Sequence, residues 1–110
     1  MVIEPLEIRA ATPADLPELI GVKPDAPLHQ ERLDRQARDE VAYLVAGVAE
    51  QPVLGYVLVK WRGDSHHSEF PMLEDLLVRP PIRGRGVGSR LMLHAESLCR
   101  ARGIKRLGLG

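Results

Sequence analysis

A loop rich in glycine and arginine is the part of the chain best suited to bind a ligand. Glycine occupies positions 84, 86 and 88, and Arg83 and Arg85 alternate with it. Glycine lets the backbone take a positive φ and lets a ligand approach the main-chain amides closely. An apolar run precedes the loop and an amphipathic helix follows it, so the start of the helix adds unpaired N–H groups and a positive dipole end. The pattern predicts a site for phosphate or another anion.

Two common phosphate-binding motifs with related glycine spacing do not fit this loop. A dinucleotide fingerprint needs a third glycine where this chain has Ser89, and an acidic residue about 20 positions further on. A P-loop needs a lysine after its last glycine, but here Gly88 is followed by Ser89 and Arg90. An arginine-glycine hook for the minor groove of DNA belongs to a disordered basic chain, whereas this loop leads directly into a helix.

The motif does resemble one known family. Arg83-x-x-Gly86-x-Gly88, preceded by the strand-like residues 76–78, resembles the acetyl-CoA signature (Arg/Gln-x-x-Gly-x-Gly/Ala) of the GNAT superfamily of N-acetyltransferases. Residues 73–78 are similar to the matching strand of the polyamine acetyltransferase branch. The strand, turn and helix around the signature make the match specific, and the resemblance covers residues 1–110 as a single domain.

The resemblance implies that the chain binds acetyl-CoA through its main chain. Backbone groups of the strand would line the pantetheine as an added strand, and amides of the loop would hold the pyrophosphate, so no metal is required. A main-chain donor near Val78 would also polarise the thioester carbonyl, where negative charge develops. The implied cofactor-binding residues are Leu76, Leu77, Val78, Arg83, Gly84, Arg85, Gly86, Val87, Gly88 and Ser89.

Two adjacent carboxylates interrupt the apolar run, and Glu74 is the candidate catalytic residue. Alternation along a strand would place Glu74, Leu76 and Val78 on one face and Asp75 and Leu77 on the other. A buried carboxylate is costly unless it is paired, hydrated or functional. A substrate ammonium must lose a proton before its nitrogen attacks, and similar polyamine acetyltransferases carry a glutamate proposed as the base at the position of Glu74. The alternative is that the strand begins at Leu76 and both acids cap a loop.

The reaction implied by the resemblance is direct transfer of an acetyl group from acetyl-CoA to a primary amine. The alternative is a catalytically impaired CoA-binding or regulatory module. We expect the family's C-terminal helix and last two strands to be absent, together with the Asn and the Tyr that those elements carry. A sheet edge would then be uncovered, and a homodimer could complete it.

The composition indicates one small globular domain with a single core: 110 residues, 45% hydrophobic and 27% charged. Residues 1–78 hold 7 Lys/Arg against 14 Asp/Glu, whereas residues 79–110 hold 8 against 1. The basic part suits the phosphates of coenzyme A and the acidic part a cationic amine, although solvated surfaces whose charges cancel are the simpler alternative. No aromatic residue lies among those arginines, so we expect no nucleic-acid partner.

Three further expectations follow from single features. No apolar run approaches the roughly 18 residues of a membrane helix, and Glu4 replaces a basic signal region, so we expect a cytoplasmic protein with no membrane partner. Cys99 is the single cysteine, and we interpret it as a buried structural thiol. His66 and His67 are adjacent residues that diverge, with no third ligand near in sequence, so we expect no metal.

The resemblance implies an α/β (α+β) fold, a GNAT-like mixed and largely antiparallel sheet flanked by helices, and hydrophobic periodicity places the individual elements. The predicted order is strand (6–10), helix start at Thr12, second helix (28–39), hairpin (41–49 and 53–61), strand (72–79), loop, helix from Val87 and a last strand from Ile104. Gly55 inside the second hairpin strand suggests a bulge or a close approach of another backbone.

Overall fold

The computed structural model describes residues 4–61, 71–104 and 108–109, which form a central sheet with helices on both faces. His66 and His67, where we expect no metal site, lie outside the described residues. The strands are β1 (Glu7–Ala10), β2 (Val41–Gly47), β3 (Gly55–Lys60), β4 (Met72–Val78) and β5 (Gly108–Leu109). The helices are α1 (Leu16–Val22), α2 (Ala26–Ala37) and α3 (Val87–Ala101), with 3-10 turns at Pro13–Asp15 and Pro80–Ile82. The order of the elements agrees with the prediction.

The sheet has its strands in chain order, β1 to β5. Neighbours are antiparallel from β1 to β4, and β5 is parallel to β4, so the predicted mixed, largely antiparallel sheet is confirmed. The described part of β5 pairs only with Met72 and Leu73. Within the described residues, the edge of β4 from Glu74 to Val78 that faces away from β3 therefore has no strand partner.

Helix α3 packs on one face of the sheet through an apolar stripe. Val87, Leu91, Ala95 and Cys99 are each at most 3% exposed, and their four-residue spacing places them on one side of the helix. The interpretation of Cys99 as a buried structural thiol is confirmed. Burial raises the pKa of this thiol, which leaves it a poor nucleophile near neutral pH.

Helices α1 and α2 cover the opposite face, where Leu19 and Leu33 pack against a second core. The predicted helix start is confirmed in part: the Thr12 N–H donates to the Asp15 carboxylate at 2.7 Å, as in a capping box, but the first turn is a 3-10 turn. Arg9 of β1 also donates to both oxygens of Asp15, each at 2.8 Å. The first strand is thereby tied to the start of α1.

Strand β4 contains a β-bulge. Tyr56 of β3 lies opposite Leu77, and Leu58 lies opposite Glu74, so β4 has one more residue than β3 between these two pairs. Asp75 lies in this stretch with a φ of 51°. The extra residue of a bulge is left out of the ladder, and the strand bends there.

The bulge overturns the predicted distribution of side chains along β4. Glu74 was expected to share a face with Leu76 and Val78. Its partner Leu58 instead belongs to the core under α1 and α2, and its carboxylate binds Lys60 of β3 at 3.0 Å. Leu76 and Val78 approach the start of α3 on the other face. The physical reason is that one extra residue interrupts the two-residue alternation of a strand.

Candidate functional site

The glycine loop connects β4 to α3 through two left-handed residues. After the 3-10 turn at Pro80–Ile82, Gly84 has a φ of 81° and Gly86 a φ of 84°, and α3 begins at Val87. Any residue with a Cβ would be strained by roughly 1–2 kcal/mol in this conformation. The predicted need for glycine is therefore confirmed at these two positions, whereas Gly88 lies within the first turn of α3.

The start of α3 presents unpaired amides. The Arg90 N–H donates to the Gly86 carbonyl at 3.0 Å, so the amides of Val87, Gly88 and Ser89 precede the hydrogen-bond ladder of the helix. Gly86 has no side chain that could cap them, and no side-chain cap hydrogen bond forms there. Together with the positive end of the helix dipole, these amides can bind an anion.

A cavity of about 240 Å³ opens over the loop. Its lining residues are Val78, Ile82, Arg83, Gly84, Gly86, Val87, Gly88 and Ser89. All of them except Ile82 belong to the cofactor site predicted from the sequence. The Arg83 side chain donates through Nε to the Val78 carbonyl at 2.9 Å, which holds its positive charge beside the end of β4.

Three of the predicted cofactor residues do not line this cavity. Leu76 is 40% exposed, with a methyl group 3.6 Å from where a Cβ on Gly88 would lie. The Leu77 side chain packs against the opposite core, under α1 and α2. Arg85 is exposed on the loop. Leu77 can therefore contribute to the site only through its main chain.

Glu74 lies inside β4, which begins at Met72. The alternative in which the strand begins at Leu76 and both acids cap a loop is therefore wrong. The Glu74 side chain is 32% exposed, and its carboxylate is 3.0 Å from the Lys60 ammonium. The Glu74 carboxylate is thus half-buried, with part of its surface open to solvent.

Asp75 is occupied by internal partners. Its Oδ2 atom lies 2.8 Å from Arg32 Nη2, 3.1 Å from Lys23 Nζ and 3.1 Å from the Tyr56 hydroxyl, which donates to it. Although burial alone would raise it, the hydrogen bonds from Arg32 and Lys23 hold the pKa of Asp75 below its usual range. Asp75 is therefore a poor general base.

A buried hydrogen-bond chain supports Arg32. His29 Nε2 is 2.7 Å from the Lys23 carbonyl, which can only accept, so this nitrogen carries the proton. His29 Nδ1 then accepts from the Tyr43 hydroxyl at 2.8 Å, and that hydroxyl accepts from Arg32 at 3.2 Å. Burial raises the pKa of Tyr43 to about 12. We call Lys23, His29, Arg32, Tyr43, Tyr56 and Asp75 the polar cluster.

Residues 8–110 match the model of the acetyltransferase (GNAT) family. This chain belongs to the GNAT family. The resemblance stated from the loop motif is therefore confirmed over nearly the whole sequence.

Individual GNAT relatives agree with this assignment. The chain is 42% identical over 57 residues to N-alpha-acetyltransferase 80 of Mus musculus. The matched stretch makes up 52% of this chain but only 18% of that protein. The fold matches the PaiA N-acetyltransferase of Thermoplasma acidophilum, solved with coenzyme A, with a TM-score of 0.77, 20% identity, and coverage of 94% of this chain and 77% of that one. For an aminoglycoside antibiotic 6′-N-acetyltransferase of Acinetobacter haemolyticus the TM-score is 0.78, at 18% identity and 94% and 78% coverage. At these identities the two structures show a shared fold alone.

Arg79 anchors the GNAT loop, and the sequence analysis missed it. Its N–H donates to the Leu54 carbonyl at 2.8 Å, and its guanidinium donates to the carbonyls of Val53, Glu18 and Gly21, the last two at 3.2 and 3.4 Å. The residue thus joins the start of the loop to α1 and to the turn between β2 and β3. Nothing in the sequence indicates that Arg79 is an anchor, because an arginine between a strand and a proline is usually exposed on the surface.

Ile82 was missed as well, although it is only 2% exposed and packs in the core below the GNAT loop. An isolated apolar residue after two prolines offers no periodicity from which burial could be predicted. Its side chain supports the cavity from beneath.

A larger cavity, of about 490 Å³, lies elsewhere, between β1, α1 and the β2–β3 turn. It is lined by Glu7, Arg9, Glu18 and residues 47–53. None of these belongs to β4 or to the glycine loop. We take the smaller cavity as the candidate site because the helix start, the left-handed glycines and the unpaired edge of β4 meet there.

Two absences hold for the part of the chain that the structure describes. No helix there is long and apolar enough to cross a bilayer. No three His, Cys, Asp or Glu side chains among those residues are placed to hold a metal ion.

Proposed function

We propose that this chain binds acetyl-CoA at residues 83–89 and transfers its acetyl group to a primary amine by direct attack. The observation that carries the proposal is the glycine loop at the start of α3, which opens into a cavity beside the unpaired edge of β4. Membership of the GNAT family supports the reaction class.

The binding step uses main-chain groups. The amides of Val87, Gly88 and Ser89 donate to the pyrophosphate, and Arg83 and Arg85 add positive charge around it. The pantetheine runs along the edge of β4 from 74 to 78 and pairs with it as an added strand. This mode of binding explains how a strand whose side chains face both cores can still form one wall of the site.

The chemical step needs a base and an oxyanion donor. Glu74, directly or through a water molecule, takes the proton of the substrate ammonium, and the freed nitrogen attacks the thioester carbon. A C–N bond forms, the C–S bond breaks, the nitrogen releases its second proton to solvent, and the departing thiolate of coenzyme A is protonated from solvent. A main-chain N–H near Val78 stabilises the developing oxyanion. Cys99 does not form an acyl intermediate, because its thiol is buried under α3.

One observation favours a second candidate, a CoA-binding module with little or no turnover. The chain has two tyrosines, and the hydroxyls of both Tyr43 and Tyr56 are held inside the polar cluster. Neither hydroxyl is therefore placed over the loop to protonate a leaving thiolate. Glu74 is also engaged by Lys60.

Calorimetric titration with acetyl-CoA, followed by a thiol-release assay over a panel of amines, separates the two candidates. The acetyltransferase proposal expects binding that weakens as salt is added, together with turnover of at least one amine. Binding without turnover of any amine would support the non-catalytic module. Absence of acetyl-CoA binding would overturn both.

A further inference from the structure

The bulge in β4 requires an uncommon backbone conformation at a residue that is not glycine. Asp75 has a φ of 51°, a left-handed value in the middle of an otherwise extended strand. Aspartate tolerates this conformation better than most residues, but the conformation is still unfavourable. Some other interaction must therefore hold the strand in its bulged register.

The carboxylate of Asp75 supplies that interaction. Its Oδ2 atom binds Arg32 of α2 at 2.8 Å, Lys23 after α1 at 3.1 Å and Tyr56 of β3 at 3.1 Å. The Arg32 side chain is 9% exposed and packs within cation–π distance of the Tyr43 and Tyr56 rings, 5.2 and 5.7 Å from their centres. Both sides of the bridge are thus anchored in the second core, away from the glycine loop.

We propose that Asp75 is a positioning residue whose carboxylate, held by Arg32, fixes the β4 bulge and through it the reacting part of the site. The inference rests on the proposed acetyl transfer. Loss of the bulge would let Asp75 return to an extended conformation and shift β4 by one residue against β3. Such a shift moves side chains to the opposite face of the sheet.

Two parts of the proposed mechanism depend on that register. The extra residue after Glu74 lets Glu74 lie on the face of α1 and α2, opposite Leu58, while Leu76 and Val78 lie on the other face. The main-chain groups of residues 75 and 76, along which the pantetheine is to run, lie outside the β3–β4 ladder at the same place. Asp75 therefore acts on turnover without touching the substrate, while the phosphate-binding amides at the start of α3 lie outside its reach.

The role can be tested with variants that separate the carboxylate from the backbone conformation. Asp75→Ala removes both the bridge and the tolerance for positive φ, whereas Asp75→Gly removes only the bridge, because glycine accepts the conformation. The matched control is Asp39→Ala. Asp39 also has a positive φ (58°) and an arginine partner (Arg102, 2.6 Å), but it lies at the end of the sheet opposite the glycine loop.

The measurements are kcat and KM in the thiol-release assay, Kd for coenzyme A by calorimetry, and amide hydrogen exchange at residues 75–77. We expect Asp75→Ala to lower kcat about ten- to a hundredfold, the scale of an ångström-sized misplacement, with Kd for coenzyme A within about twofold of the parent. Amide hydrogen exchange at residues 75–77 should be faster in Asp75→Ala than in the parent. Asp75→Gly should recover part of kcat, and Asp39→Ala should leave kcat unchanged.

The inference is overturned if Asp75→Ala reduces kcat no more than Asp39→Ala, or if exchange at 75–77 is unchanged. Should Asp75→Ala fail to fold, Arg32→Met takes its place: it leaves the β4 sequence intact and is expected to produce the same loss of kcat and the same faster exchange. Wild-type protein that turns over no amine would defeat the proposed function. The exchange data would in that case still decide whether Asp75 holds the bulge.

Discussion

The ammonium of Lys60 lies 3.0 Å from a carboxylate oxygen of Glu74, across the pairing of β3 with β4. The Lys60 side chain is 10% exposed and that of Glu74 32%, so the pair lies at the boundary between core and solvent. In the proposed reaction, an arriving substrate ammonium would compete with Lys60 for the same carboxylate. This ion pair therefore ties the proposed base on β4 to the neighbouring strand β3.

Replacing this carboxylate should separate chemistry from cofactor binding. Glu74→Gln keeps the side-chain shape but removes the base, so we expect turnover to fall about 10²–10⁴-fold. The Kd for acetyl-CoA should not change, because the loop amides are untouched. Thiol release and calorimetry measure the two quantities. Glu31→Gln, an exposed change on α2, is the control, and an equal effect in both variants would contradict the role of Glu74.

Adding a methyl group to Gly88 should change stability and affinity in opposite directions. Gly88 lies in the first turn of α3, where a Cβ would have ordinary contacts, the nearest at 3.6 Å from Leu76. Gly88→Ala should therefore raise the Tm, because alanine is favoured in a helix by about 1 kcal/mol. The same methyl group would enter the cavity and weaken acetyl-CoA binding. An unchanged affinity would place the pyrophosphate elsewhere.

Gly86→Ala should instead lower both the Tm and the affinity for acetyl-CoA. The φ of 84° at Gly86 strains any residue with a Cβ by roughly 1–2 kcal/mol, and a domain of this size loses about 4–8 °C in Tm per kcal/mol. Because this residue also sets where α3 begins, the amides after it would move and acetyl-CoA binding would weaken. Thermal melts with and without acetyl-CoA measure both effects. A variant as stable as the parent would show that the left-handed turn is not required.

Arg79 should be more important for stability than its place between strand and proline indicates. Arg79→Met leaves three main-chain carbonyls on α1 and the β2–β3 turn without a charged donor, which costs about 1–3 kcal/mol. Arg79→Lys should recover little, because an ammonium lacks the planar fork that reaches several acceptors. Urea denaturation measures the loss. Arg100→Met on the exposed side of α3 is the control, and equal losses would contradict the anchoring role.

Stability should fall in acid through the bridge between Arg9 and Asp15. The hydrogen bond from Arg9 holds the pKa of Asp15 below its ordinary value of 3.8. A depressed carboxyl pKa contributes stability that is complete above the unfolded-state pKa and is lost as pH falls through the folded-state pKa. Urea denaturation at pH 7 and at pH 3 should show this loss, and Asp15→Asn should reduce the difference. An equal pH dependence in parent and variant would assign the acid sensitivity to other carboxylates.

Local chemistry made several features of the fold predictable. Alternating and helical apolar spacing marked the strands and α3, and the Thr12–Asp15 pattern marked the start of the first helix. Gly55 was read correctly as a close approach, since a Cβ there would lie 2.7 Å from the Leu77 carbonyl of β4. Each of these signals depends only on neighbours within a few residues along the chain.

The glycine loop was determined by the sequence in the same way. Its left-handed turns and the helix start that follows depend on residue types between 83 and 89, so the proposed cofactor site could be outlined without a structure. The register of β4 could not be predicted from the sequence. Whether Glu74 faces one core or the other depends on how β4 pairs with β3, and therefore on a bulge that period-two spacing does not encode.

Only the tertiary structure decided what holds that bulge. Asp75 meets Arg32 and Lys23, which lie 43 and 52 residues earlier in the chain, because α1 and α2 fold back over the sheet. Each of these residues alone resembles an ordinary surface charge in the sequence. Their partnership exists only after two helices and a sheet have packed, since contacts between distant charges are set by the shared core that brings them together.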